Sequence, residues 1–169
     1  HGAWRVALDG GRTVDFTPLD DGIDDDLATR DFTINAIAVP LAGGDPVDPY
    51  SGQADLAANV IRAVSTEVFS DDALRLLRAV RLEDELGFQL EPETEGLVRE
   101  QAELVTRPAR ERSLAELVRL SVDGYRRADE LGLLAPLEGS SAGLDRPALV
   151  DRPAFRLVRG GSGAGGLPP

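Results

Sequence analysis

Cysteine is absent from the 169 residues, which excludes disulfides and thiolate-bound metals. Histidine occurs only as His1, so the chain holds no multi-histidine metal site and no internal His-based triad. Lysine is missing as well; every basic residue is Arg. Methionine is absent even from position 1, which leads to the expectation that the chain is a piece of a longer protein. Positive charge is scarce. The net charge is −12, and residues 1–60 carry 11 acids against 3 Arg, leaving 19 acids against 15 Arg for the remainder. That balance argues against free-standing, charge-driven nucleic-acid binding, which needs a positive surface, but it leaves room for a local basic groove. No apolar run approaches the ~20 residues of a membrane span, and no signal peptide is visible.

What is present suffices for a core, since 42% of residues are hydrophobic and 28% charged. Ala3–Leu8 and Arg12–Thr17 alternate loosely around Asp9-Gly10-Gly11, a hairpin turn signal. Residues 20–26, with Asp20, Asp21, Asp24, Asp25 and Asp26, read as an acidic loop. Phe32–Val39 reads as a short buried helix closed by Pro40, and Gly43–Gly52 as turns. Gln53–Ala58 reads as one or two helical turns and Val60–Val64 as a short strand. From Ser70 the pattern is helical. Ser70 is placed as the N-cap with Asp71 and Asp72 in the first turn, Ala73, Leu76, Leu77 and Val80 form one apolar face, and Gly87 ends the helix. Glu93–Leu104, Leu114–Val122 and Tyr125–Leu134 read as further helices separated by Pro108 and Gly124. A weak apolar segment at Phe155–Val158 and a Gly/Pro-rich end, expected to be disordered, complete the chain.

Three constellations carry chemistry. Arg30-Asp31-Phe32-Thr33-Ile34-Asn35-Ala36 would put an acid, a guanidinium and an amide at a helix start, suited to a sugar and phosphates. The plainer reading is a capped, buried helix. In Asp71-Asp72-Ala73-Leu74-Arg75, continued by Arg78-Ala79-Val80-Arg81, helical geometry sets Asp72 and Arg75 ~60° apart on one face. The plainer reading here is a surface ion pair worth a few tenths of a kcal/mol. Asp48-Pro49-Tyr50-Ser51-Gly52, Asp55-Leu56 and Ile61-Arg62 alone are a turn followed by a strand.

Taken in order, the three resemble the class II tRNA nucleotidyltransferase and poly(A) polymerase family of the DNA polymerase β-like superfamily. The family's R-R-D-F-T-I-N-A stands here as Thr29 to Ala36, with Thr29 in place of the first Arg. Its D-P-F-x-G, D-L and I-R are similar to Asp48–Gly52, Asp55-Leu56 and Ile61-Arg62. Its E-D-x-x-R helix, extended by R-A-x-R-F and L-G-F, resembles Asp71–Arg75, Arg78–Leu82 and Leu86–Phe88, and its E-R-x-x-x-E-L matches Glu111-Arg112 and Glu116-Leu117. The resemblance spans roughly Ala3 to Leu137.

It implies an α+β chain: the C-terminal part of a nucleotidyltransferase head (a small sheet with a hairpin and short helices, residues 1–66), then an all-α, RNA-binding neck (67–138), with 139–169 a linker or incomplete body. By the same resemblance the parent is a cytoplasmic, template-independent enzyme adding CMP and AMP from CTP and ATP to tRNA 3′ ends. Asp72 would accept from the exocyclic amine of cytosine or adenine and Arg75 donate to the adjacent ring nitrogen; Arg30, Asp31 and Asn35 would hold ribose and triphosphate, assisted by Arg78. Arg107, Arg110, Arg112, Arg126 and Arg127 are candidates for RNA phosphates, or for salt bridges with Glu111, Glu116 and Asp129. The family's Mg²⁺-holding D-x-D follows a Gly-rich turn that this chain lacks; Asp24-Asp25-Asp26 is rejected as its equivalent, Asp15 is a candidate single ligand, and the chain alone is expected to be inactive. Poly(A) polymerase and a non-catalytic RNA-binding helical module with a relic pocket remain the alternatives. A downstream HD-type domain and the oligomeric state are not readable.

Overall fold

The structure is a computed structural model and describes residues 4–19 and 21–139; the segments expected at Phe155–Val158 and in the Gly/Pro-rich end lie outside the described residues. The hairpin is present. Strands β1 (Trp4–Ala7) and β2 (Thr13–Phe16) pair antiparallel with Trp4 opposite Phe16 and Val6 opposite Val14. A 3₁₀ turn at Asp9–Gly11 joins them, with Gly10 and Gly11 both at positive φ.

The acidic stretch is not a loop. Helix α1 occupies Ile23–Ala28, and Asp24, Asp25 and Asp26 fill its first turn, where the positive end of the helix dipole favours carboxylates. The helix expected at Phe32–Val39 shrinks to a 3₁₀ turn at Thr33–Asn35, because residues on both sides are drawn into bridge pairings, Phe32 with Ala63 and Ala38 with Val47. Helix α2 (Gly52–Ala58) leads through Asn59, left-handed at φ 57°, into β3 (Val60–Ile61), which pairs in parallel with β4 (Gln89–Leu90).

Around Ser70 the helix is broken in two. A short helix α3 (Val68–Asp71) ends at Asp72, whose backbone is extended (φ −143°, ψ 102°), and α4 (Leu74–Leu86) starts beyond it. Ser70 does not cap; its hydroxyl donates to the Glu67 carbonyl, while the N-cap position of α4 is Ala73 and the Asp72 carboxylate just before it accepts from Leu74 N. Gly87, left-handed at φ 66°, ends α4 as expected.

Helix α5 (Pro92–Glu100), a 3₁₀ turn (Ala102–Thr106), α6 (Arg110–Leu117), α7 (Val122–Glu130) and α8 (Leu134–Gly139) follow. Gly124 does not split two helices. It lies inside α7, where a Cβ would come within 2.7 Å of Asp84 Oδ2, so its bare backbone permits close packing on α4. One core runs through the molecule, from Phe32 and Ile61 across Phe69, Leu76, Leu77 and Val80 to Val98, Leu117, Leu131 and Leu133. Helix α4 is its spine, contacting α3, α6, α7, β3 and β4. Among the described residues no helix is long and apolar enough to cross a membrane.

Candidate functional site

The segment from Arg30 to Asn35 is held by a bracket built from the third motif. Asp48 accepts from the backbone N–H groups of Gly52 (2.6 Å) and Gln53 (3.0 Å), which fixes the start of α2. Gly52 then lies so close to Thr33 that a Cβ would sit 2.0 Å from the Thr33 carbonyl oxygen. One turn on, buried Asp55 accepts from the Thr33 hydroxyl (2.7 Å) and from Arg62 Nε (3.0 Å). Arg62 is held in turn by Glu91. The backbone closes the bracket: Thr33 N donates to the Arg62 carbonyl and Val64 N to that of Asp31. Asp55 and Arg62, which in sequence alone are part of a turn followed by a strand, are thus supports for Thr33 and its neighbours.

What the bracket holds is one wall of a cavity of about 330 Å³. Arg30, Asp31, Asn35, Asp72, Arg75 and Arg78, drawn from segments up to 48 residues apart, all line it, together with Thr29, Leu74 and Arg112. Four guanidiniums face two carboxylates there, so the cavity is locally cationic in a chain of net charge −12.

Asp31 is 7% exposed: Oδ1 accepts from Phe32 N (2.8 Å) and Asn35 Nδ2 (2.9 Å), and Oδ2 is ion-paired with Arg78 Nε (2.5 Å). It is a hub that aims Asn35 and Arg78. Asp72 has spent two of about four acceptor positions, Oδ1 on Leu74 N (3.1 Å) and Oδ2 on Arg112 Nη2 (3.0 Å). Arg75 has spent two of five N–H groups, on the carbonyls of Thr29 (2.6 Å) and Val68 (3.3 Å). Both residues therefore keep unused hydrogen-bonding capacity at the cavity. Asp72 and Arg75 are not neighbours on one helical face, because Asp72 precedes α4; the break at Asp72 and the fold of α3 bring both to the cavity. Ala79 is fully buried in the core and lines no part of the cavity.

Burial acts to raise the Asp72 pKa, but the Leu74 amide, the bond to Arg112 and the charges of Arg112 and Arg75 outweigh it and hold the carboxyl below its ordinary value. Arg30 is steadied by Asp26 one helical turn earlier.

The five arginines proposed for RNA divide. Arg112 belongs to the cavity. Arg127 turns inward to Glu83 (2.8 Å) and Glu95 (2.5 Å), which drive its pKa further up. Arg126 pairs with Asp123 at the surface, and Arg107 and Arg110 are exposed. None of the carboxylates foreseen as partners, Glu111, Glu116 and Asp129, takes up Arg112, Arg126 or Arg127 in these pairings; Glu116 is gripped by Arg81.

A Mg²⁺ site does not fit the described residues. Mg²⁺ asks for a converging set of oxygen ligands, and no group of three or more potential ligand side chains occurs among them. Both oxygens of Asp15 are occupied by Arg5, Oδ1 by Nε (2.7 Å) and Oδ2 by Nη2 (2.8 Å).

Comparison with known proteins gives consistent findings. Residues 8–62 match the poly A polymerase head domain. A CC-adding tRNA nucleotidyltransferase from Geobacter sulfurreducens is 46% identical over 122 residues, covering 71% of this chain and 28% of that protein. An A-adding tRNA nucleotidyltransferase from Deinococcus radiodurans is 47% identical over 102 residues, covering 60% and 23%. The solved structure of the Bacillus stearothermophilus CCA-adding enzyme in complex with CTP superposes with a TM-score of 0.74 at 32% identity, covering 83% of this chain and 39% of that one. The chain therefore spans about a quarter of the length of the two curated relatives.

Proposed function

This chain belongs to the class II tRNA nucleotidyltransferase family, and from that premise we propose that it forms the nucleotide-selecting part of an enzyme adding CMP and AMP, from CTP and ATP, to tRNA 3′ ends in the cytoplasm. The observation that carries the reading is the cationic cavity in an acidic chain, with spare acceptors on Asp72 and spare donors on Arg75. Cytosine and adenine both present an exocyclic amine beside an unprotonated ring nitrogen. Asp72 accepts from the first and Arg75 donates to the second. Uracil and guanine present a carbonyl and an N–H at those places, so both contacts turn repulsive; mismatches of this kind reject a substrate by about 10⁴-fold. The side chains themselves act as template.

Arg78 and Arg30, aimed by Asp31 and Asp26, supply charge for the triphosphate, and Asn35 offers its remaining amide positions to the ribose. Mg²⁺, which in such transfers activates the 3′-hydroxyl and neutralises the departing pyrophosphate, needs carboxylates other than those described. Arg107, Arg110 and Arg126, on the exposed helical surface, are proposed for RNA phosphates.

The test is incorporation of labelled nucleotide by the full-length protein into a tRNA that lacks its 3′-terminal CCA. The reading expects C and A to be added and U and G refused. Homopolymeric A from ATP alone would move it to poly(A) synthesis, and nucleotide binding with no incorporation would move it to a non-catalytic module. The names of the Geobacter and Deinococcus relatives favour a second reading, in which the enzyme adds only CC or only the final A. Offering tRNA ending before CCA and tRNA ending in CC separates these.

A further inference from the structure

Arg112 stands apart from the other helical arginines. It comes from α6, forty residues beyond Asp72, yet its Nη2 lies 3.0 Å from Asp72 Oδ2 and it lines the cavity. Its position on α6 is set by a second contact. Glu116, one turn further along the same helix face, is gripped by Arg81, whose side chain is 7% exposed and which also pairs with Glu85. Arg81 rides on α4, the helix that carries Arg75 and Arg78. Thus the paired Arg and Glu of Glu111-Arg112 and Glu116-Leu117 make a strut: one end is locked to α4, the other holds the carboxylate at the cavity mouth.

As a stability device the Arg112–Asp72 pair is weak. The side chains are 55% and 37% exposed, and a solvent-screened pair of this kind adds little to the fold. Its geometric effect is larger. Asp72 sits on a single extended residue between α3 and α4, and one backbone bond, from Leu74 to Oδ1, leaves its carboxylate free to swing about that contact. The bond to Oδ2 from a different element fixes the plane and so aims the remaining lone pairs.

We propose that Arg112 is a positioning residue for base selection, orienting the Asp72 carboxylate rather than binding RNA; this rests on the reading of Asp72 as the acceptor for the base amine. Without Arg112 the carboxylate samples orientations in which the amine contact is lost and a uracil carbonyl is no longer repelled.

The experiment compares Arg112→Ala, Arg112→Lys and Asp72→Ala in the full-length protein, measuring kcat/KM for CTP and UTP, KM for tRNA and its salt dependence, and thermal stability. Arg112→Ala is expected to lower the CTP-over-UTP preference about tenfold, the order of one hydrogen bond to a charged group. KM for tRNA and its salt slope should stay put, and Arg112→Lys should recover part of the preference. If Asp72→Ala loses the preference while Arg112→Ala keeps it, the proposal is overturned and the base-reading site stands. A raised KM for tRNA with a shallower salt slope and unchanged base preference would return Arg112 to RNA contact and likewise overturn it. If neither variant changes the preference, the base-reading site itself fails, and the proposal with it.

Discussion

At the residue scale, the cavity depends on groups that hold its other members in place. Asp31 holds Phe32 N, Asn35 and Arg78 from a buried position. Asp31→Ala should cost about 2–3 kcal/mol in a denaturant titration, because it strands a buried backbone N–H and an Arg that had been charge-paired. Gly52 is the other pressure point. A methyl group there meets the Thr33 carbonyl at 2.0 Å and Ile37 Cγ1 at 2.9 Å, and backbone cannot step aside as a side-chain tip can. Gly52→Ala should therefore destabilise by about 1–3 kcal/mol, the usual cost of overpacking, and displace Thr33–Asn35, read as weaker nucleotide binding. Asp31 and Asn35 are legible in the sequence because they stand together in Arg30–Ala36, and Arg78 because it continues the helical motif that begins at Asp71. Thr33, Asp55 and Arg62 are harder to see, since their link runs through a buried hydrogen bond across 22 residues.

At the scale of elements, hydrophobic spacing finds α4 and its Gly87 end, while its start and the acidic stretch read differently once folded. The run from Ser70 to Arg81 has an unbroken helical pattern, and nothing local announces that Asp72 turns extended. Once folded, Asp72 is extended between α3 and α4, and its carboxylate accepts from Leu74 N and from Arg112 on a different helix. Residues 20–26 look like a solvated loop by charge density, yet three of the acids sit where a helix dipole welcomes them. The entry to α7 offers a clean check on capping. Ser121 Oγ accepts from Gly124 N while donating to Asp84 Oδ1, and Asp84 Oδ2 also accepts from Ser121 N. Ser121→Ala should cost about 1 kcal/mol by thermal or chemical unfolding, whereas Ser121→Asp, set against Asp84, should not restore it.

At the scale of the whole molecule, α4 is tied to α6 through buried charge as well as apolar packing. Arg81, flanked by Glu85 and Glu116, is the deepest of these pairings. Arg81→Met leaves Glu116 half-buried without its cation and should lower stability by about 3–5 kcal/mol at neutral pH. Six carboxyls are held below their ordinary values, and the acid response follows chiefly from the four that are not fully exposed. In Glu95 the cause is the bonds from Arg127 and Arg99; in Asp48, Asp72 and Glu91 burial opposes the shift, and donated hydrogen bonds overcome it. A carboxyl whose pKa falls on folding stabilises the fold above its unfolded value, about 4, and that contribution is lost as pH drops through the lower folded value. Melting temperature should therefore change little between pH 7 and about 5.5 and decline steeply below about 4.5. The general α+β plan was readable from motif order and periodicity; the single continuous core was not, because it depends on Phe32 and Ile61 meeting Phe69 and Leu76 across the join.

The most direct measurement is selection among the four triphosphates by the full-length protein with Asp72→Ala or Arg75→Ala, using a tRNA acceptor that lacks CCA. The account predicts that the preference for CTP and ATP over UTP and GTP collapses by orders of magnitude in both variants. A preference that survives intact in either one would contradict it.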